Sequence, residues 1–123
     1  MSFLRPLLDK LTRPPEDIRD EHLRAWVEAM PGVTPIGDLA KRRRFKAAGV
    51  IQTIRIDPRE GSGSIEATIS DGTGDMIVKW LGRQTMSGIR LGAGLIVEGI
   101  VGGGEDGRPL VLNPEYQLTI GPR

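Results

Sequence analysis

Residues 64–80, SIEATISDGTGDMIVKW, decide the fold. Ile65, Ala67 and Ile69 alternate with Ser64, Glu66, Thr68 and Ser70, the period of two that sets one face of a strand on a core and the other in water. The alternation stops at Asp71-Gly72-Thr73-Gly74, a strong hairpin signal, because glycine supplies the positive φ that tight turns need. It resumes with Met76, Val78 and Trp80 on one face and Ile77 and Lys79 on the other. Two alternating runs joined by such a turn predict an antiparallel pair.

Upstream, Phe45 to Ile56 is long for one strand and contains Gly49. With Phe45 and Ala47 inside and no break, Arg55 would be forced inside. An extra residue near Gly49 places Val50, Ile54 and Ile56 inside and Arg55 outside, so a bulge or sharp bend is expected near Gly49. Asp57 to Gly63 reads as a turn. Downstream, Gly82 to Gly92 is too long for a tight hairpin and too short for a crossover helix, and predicts an irregular loop or one helical turn. Leu95, Val97, Gly99 and Val101 then alternate with Ile96, Glu98 and Ile100. Gly102 to Gly107 reads as a flexible loop, and the last run, Pro109 to Ile120, is interrupted at Asn113-Pro114, where a proline belongs at an edge or a bend.

Before these strands the period is helical. Phe3, Leu4, Leu7, Leu8 and Leu11 make one apolar stripe, with Ser2 as N-cap, ended by Thr12 to Pro15. Leu23, Trp26, Val27 and Met30 make a second, stopped by Pro31 and Gly32. Thr34-Pro35 predicts the cap and first turn of a short helical piece through about Ala40. The chain of 123 residues has room for one core. Residues 1–40 are therefore expected as a helical extension on or beside a β domain of residues 41–123.

The fold class expected is mainly β, with five strands, a bent first strand and a connector between the third and fourth. That order matches the five-stranded OB-type Greek-key barrel, and the long first strand argues against an SH3-like barrel. Asp71-Gly72-Thr73-Gly74, Trp80-Leu81-Gly82-Arg83, Leu91-Gly92, Val97-Glu98-Gly99 and Asn113-Pro114-Glu115-Tyr116 resemble small bacterial OB-fold nucleic-acid-binding domains, of the kind in the wedge of RecG helicases and in anticodon-binding domains of aminoacyl-tRNA synthetases. The resemblance covers roughly residues 40 to 120 and implies a binding domain.

Composition narrows the chemistry. The chain has no cysteine, so disulfides, thiol redox chemistry and Cys-based zinc sites are excluded. His22 is the only histidine and has no partner imidazole for a metal site. Ser62, between Gly61 and Gly63, lacks the strand-turn-helix frame of a nucleophile elbow. Neither this stretch nor the glycines at 102–104 carry the Lys and Ser/Thr of a phosphate loop. No enzyme activity, cofactor or metal is expected. No apolar run approaches the ~20 residues that span a bilayer, and a cytoplasmic protein without membrane contact is expected.

Net charge is only +1, yet Lys41, Arg42, Arg43, Arg44 and Lys46 form one basic cluster. In an OB barrel strands 2 and 3 form the binding face and two loops flank it. Arg55 ends strand 1, Arg59 lies in the first loop, Lys79 and Arg83 lie on or after strand 3, and Arg108 lies in the second loop. With Arg44 and Lys46 these are the candidate nucleic-acid contacts, since guanidinium and ammonium groups bind phosphate. An ordinary solvated surface, with Glu60, Glu66, Asp75, Glu105 and Asp106 as neighbours, is the competing account. Trp80 shares a face with Met76 and Val78, which favours the core over base stacking, and Tyr116 shares one with Leu118 and Ile120. The function expected is an accessory protein that binds DNA or RNA weakly and with little sequence preference. The alternative is a protein-interaction module without nucleic-acid binding, in which the barrel or the N-terminal helices dock on a partner, with self-association through the helices as a further branch.

Overall fold

The computed structural model describes residues 15–58, 63–83, 85–104 and 106–122. The helix expected over Phe3 to Leu11, and Arg59, lie outside them. The elements are helix α1 (Pro15–Glu28), a 3₁₀ turn (Ile36–Asp38) and strands β1 (Arg44–Asp57), β2 (Ser64–Ser70), β3 (Asp75–Leu81), β4 (Gly94–Ile100), β5 (Gly102–Gly103), β6 (Pro109–Leu112) and β7 (Glu115–Thr119). The strands form one mixed sheet in the order β5-β6-β3-β2-β1-β4-β7, with β3 and β6 parallel and the other pairs antiparallel.

Seven strands stand where five were expected, and two breaks account for the difference. Gly102 and Gly103, read from sequence as loop, pair with Leu110 and Pro109. They are separated from β4 by Val101 alone, whose N–H donates to the Arg43 carbonyl and whose carbonyl accepts from Arg42. The second break is Asn113-Pro114. Asn113 takes a left-handed conformation, φ 49°. Its N–H donates to the Lys79 carbonyl at 2.7 Å, and its Oδ1 accepts from the Leu81 N–H at 2.9 Å. Proline has no N–H to continue the ladder. The chain therefore leaves β3 and crosses to β4 as β7. Because β5 continues β4 and β7 continues β6, the two ends of the sheet lead back to its interior strands, and the sheet curls around a core.

The apolar face read in residues 64–80 is the core face, while on the opposite face Ser64 and Ser70, at the two ends of β2, are buried rather than in water. Ile65, Ala67, Ile69, Met76, Val78 and Trp80 are buried, and Ile69 pairs with Met76 across the hairpin. Leu95, Val97, Val101 and Val111 complete the enclosed layer. β1 serves two partners, β4 through Val50 and β2 from Val50 onward. At the corner, a Cβ on Gly49 would stand 3.0 Å from the backbone N and O of Ser70, so the crossing needs glycine. The irregularity itself falls between Ile51 and Thr53, slightly beyond the expected Gly49. Arg55 is exposed and Ile54 packs against the core, as that bend requires. Val50 is only half-buried and Ile56 is exposed, against expectation; Ile56 lies at the rim of the sheet, one residue before β1 ends.

Helix α1 lies against β1 with Leu23 and Val27 buried, so the stripe of this second expected helix is covered within the chain. Trp26 Nε1 donates to the Ile120 carbonyl at 3.1 Å and Arg24 Nη1 to the Gly72 carbonyl at 3.0 Å, which ties the helix to the residue just past β7 and to the β2-β3 turn. The 3₁₀ turn is shorter than expected. The residue at its N-cap is Pro35 rather than Thr34, with no side-chain cap of its own; the Asp71 carboxylate accepts from the Ile36 N–H instead, at 2.8 Å. Among the described residues no helix is long and apolar enough to cross a membrane.

Candidate nucleic-acid interface

The outward residues of the β2-β3 hairpin and its neighbours fall into rows fixed by register. Arg55 of β1 stands opposite Glu66 of β2, and Glu66 opposite Lys79 of β3. β6 runs beside β3, with Leu110 next to Ile77 and Leu112 next to Lys79. The turn before β6 brings Asp106 and Arg108 to the same side. Arg55, Glu66, Lys79, Asp106, Arg108 and Leu110 thereby line one open groove of about 390 Å³. A hollow beyond it shares Arg55, Glu66 and Lys79 and adds Asp57 and Ser64.

The three cations of the groove are not equally free. Arg108 is latched by Asp106, whose Oδ2 accepts from Nε and Nη2, both at 2.6 Å, and whose Oδ1 accepts from the Arg108 backbone N–H at 3.1 Å. The side-chain hydrogen bond from Arg108 holds the Asp106 carboxyl below the ordinary aspartate range, and the same bond raises the guanidinium. Arg55 meets Glu66 only at 3.9 Å, with its own side chain almost wholly in solvent. Such an exposed pair contributes little. Lys79 forms no ion pair among the described residues, and neither does Arg83, which is exposed just past β3.

The remaining candidates are elsewhere. Arg44 and Lys46 lie on the part of β1 that pairs with β4, where Glu98 approaches both, at 3.8 and 3.7 Å, and Glu115 approaches Arg44 at 3.9 Å. They precede the residue at which β1 changes partners, so they look out over a different region of the sheet from Arg55. Arg59 lies outside the described residues. The described aromatics do not line the groove. Trp80 is 3% exposed, with Nε1 donating to the Pro114 carbonyl at 3.3 Å, and Tyr116 packs edge-on against it with ring centroids 5.4 Å apart, although it stays 38% exposed. Sequence reasoning treated Glu66 and Asp106 only as neighbouring charges. Their place inside the groove was signalled by the outward position of Glu66 in the β2 alternation and by the i, i+2 spacing of Asp106 and Arg108.

No family model matches the chain, and no curated protein does. Solved structures do. RecG bound to a three-way DNA junction resembles the chain at 20% identity with a TM-score of 0.61, over 91% of this chain and 16% of the RecG chain. The solution structure of a replication factor A related protein from Methanobacterium thermoautotrophicum resembles it at 15% identity and TM-score 0.54, over 71% of this chain and 90% of that one. The chain thus spans about a sixth of the length of RecG. At these identities the likeness is one of fold, and the fold is of the OB type.

Proposed function

We propose that the protein binds nucleic acid through the groove over β2 and β3, with Arg55 and Lys79 as backbone contacts, Arg108 as a further contact that Asp106 holds back, and Arg83 extending the track beyond β3. The observation that carries this reading is the convergence of those three cations on one open groove. RecG, which shares the fold, is described in complex with a DNA junction, and this supports the same class of ligand. Glu66 and Asp106 offset much of the positive charge, and no aromatic ring offers a stacking surface there. Contacts of this kind read phosphates rather than bases. Binding is therefore weak and tolerant of sequence, on the order of 10⁻⁴ to 10⁻⁶ M at physiological salt. The protein acts as an accessory binding module of the cytoplasm, without catalysis of its own.

Fluorescence anisotropy with labelled single-stranded and duplex DNA and RNA at two salt concentrations tests this. Binding should fall steeply with salt through counterion release, and Lys79→Glu with Arg83→Glu should weaken it by similar factors for unrelated sequences. A folded wild-type protein that binds none of these at low salt removes the reading.

A further inference from the structure

The basic run singled out in the sequence borders a second groove, which shares only Leu110 with the proposed nucleic-acid groove. Ile100, Gly102, Gly103, Leu110 and Leu112 line an open depression of about 530 Å³ on the outer face of β4, β5 and β6. Ile100 is 61% and Leu112 53% exposed, large values for aliphatic side chains that line one depression. Contiguous exposed apolar surface of this kind marks interaction sites. Between the aliphatic residues the floor is the backbone of Gly102 and Gly103.

The rim is cationic. Lys41, Arg42 and Arg43 are exposed and form no ion pair among the described residues. Their backbone is held against this groove, with the Arg42 N–H donating to the Val101 carbonyl and the Val101 N–H to the Arg43 carbonyl. Arg44 pairs directly with Ile100. The Lys41 side chain reaches over the floor, so that a Cβ on Gly103 would stand 3.2 Å from its Cε and Nζ. Among the described residues, Glu66 and Asp106 line the nucleic-acid groove, whereas no carboxylate lines this one.

We propose that this groove docks an acidic segment of a partner protein, with Leu or Phe side chains entering between Ile100 and Leu112 and Asp or Glu carboxylates meeting Lys41, Arg42 and Arg43. Charge complementarity selects this occupant. Phosphates would meet the rim cations but leave Ile100 and Leu112 uncovered, and stacking of bases needs flat aromatic surfaces, where the floor here is aliphatic and glycine. A second copy using the same face would bring two basic rims together, since a two-fold contact juxtaposes a patch with itself.

The probe is a fluorescein-labelled peptide, Glu-Asp-Leu-Asp-Phe-Glu-Asp-Leu, titrated with the full chain, beside one control with Leu and Phe replaced by Ser and another with the acids replaced by Gln and Asn. Either control should bind about tenfold more weakly, because the site uses both apolar burial and charge. Leu112→Ser, and separately Lys41→Glu with Arg43→Glu, should weaken the acidic peptide about tenfold and leave oligonucleotide binding within about twofold. Lys79→Glu should do the reverse, which separates failure of this site from failure of the nucleic-acid groove. The proposal is overturned by absence of peptide binding to folded wild-type protein at low salt, or by equal binding of all three peptides. It is also overturned if Leu112→Ser weakens oligonucleotide binding instead, or if it dissolves a wild-type dimer seen in sedimentation.

Discussion

Two turns of this molecule are built on the same local device and have opposite weight. In the β2-β3 hairpin, Asp71 Oδ1 accepts from the N–H of Thr73 at 2.9 Å; in the turn between β5 and β6, Asp106 Oδ1 accepts from the N–H of Arg108 at 3.1 Å. Each aspartate is followed closely by a glycine in left-handed conformation, Gly72 at φ +85° and Gly107 at φ +84°. Asp71, however, is fully buried, and its carboxylate also accepts from the Thr73 hydroxyl at 2.6 Å and from the distant Ile36 N–H. Asp106 is exposed and spends its second oxygen on the Arg108 guanidinium. Identical backbone chemistry thus fastens the fold at one end and sets the charge of a groove at the other; the surroundings decide which.

The glycines give the widest separation. A Cβ at Gly72 would meet the Asp20 carbonyl oxygen and the Arg24 side chain at 2.9 Å, so α1 would have to move off the hairpin. Gly72→Ala should cost about 4 kcal/mol, from about 1 for the left-handed backbone and about 3 for overpacking. Gly107 has nothing within 4 Å. Gly107→Ala should cost only the backbone share, about 1 kcal/mol. Chemical denaturation of the two variants measures the difference, and equal losses would break the contrast.

Removing the carboxylates comes next in size. Asp71→Ala strands the buried N–H of Ile36 and should cost about 3 kcal/mol, as expected for lost hydrogen bonds to a charged acceptor. Asp71→Asn keeps one oxygen for Thr73 but turns an amide donor toward the Ile36 N–H or the reverse, so it should recover no more than about half. Amide exchange at Ile36 reads this directly: it should quicken in both variants, and unchanged exchange would detach the 3₁₀ turn from the hairpin.

What the sequence made legible follows the range of the interactions. The alternation of residues 64–80, the turn at Asp71 and the break at Asn113-Pro114 are local, and each was readable. Fold class followed from their order. The Asp71 to Ile36 contact links residues 35 apart, and no pattern in either segment announces it. The stretch Gly102 to Gly107 reads as a loop in sequence, yet pairing with β6 holds Gly102 and Gly103 in the sheet. Of the candidate contacts, Arg55, Lys79 and Arg108 converge on one groove, while Arg44 and Lys46 do not. That distinction depends on where β1 exchanges β4 for β2, a feature of the curl rather than of composition.

The smallest effect is expected at Asp106, and it bears on function rather than on stability. Because the Arg108 guanidinium lowers the carboxyl below the ordinary aspartate range, Asp106 remains charged through that range and the latch holds at neutral pH. The sign follows from linkage: any stability from this pair is fully present above the unfolded-state pKa and is lost as pH falls through the depressed folded value. Carbon-detected NMR titration of the side chain should place its midpoint below that of exposed aspartates, and Arg108→Gln should return it to the ordinary range. Asp106→Asn keeps the oxygen that accepts from the Arg108 backbone but releases the guanidinium. The melting temperature should not change measurably. Oligonucleotide binding should tighten by a few-fold, and the salt slope for single strands should steepen by about 0.7, the increment for one further phosphate contact. An unchanged slope would mean that Arg108, once free, makes no phosphate contact, and the charged groove would then rest on Arg55 and Lys79 alone.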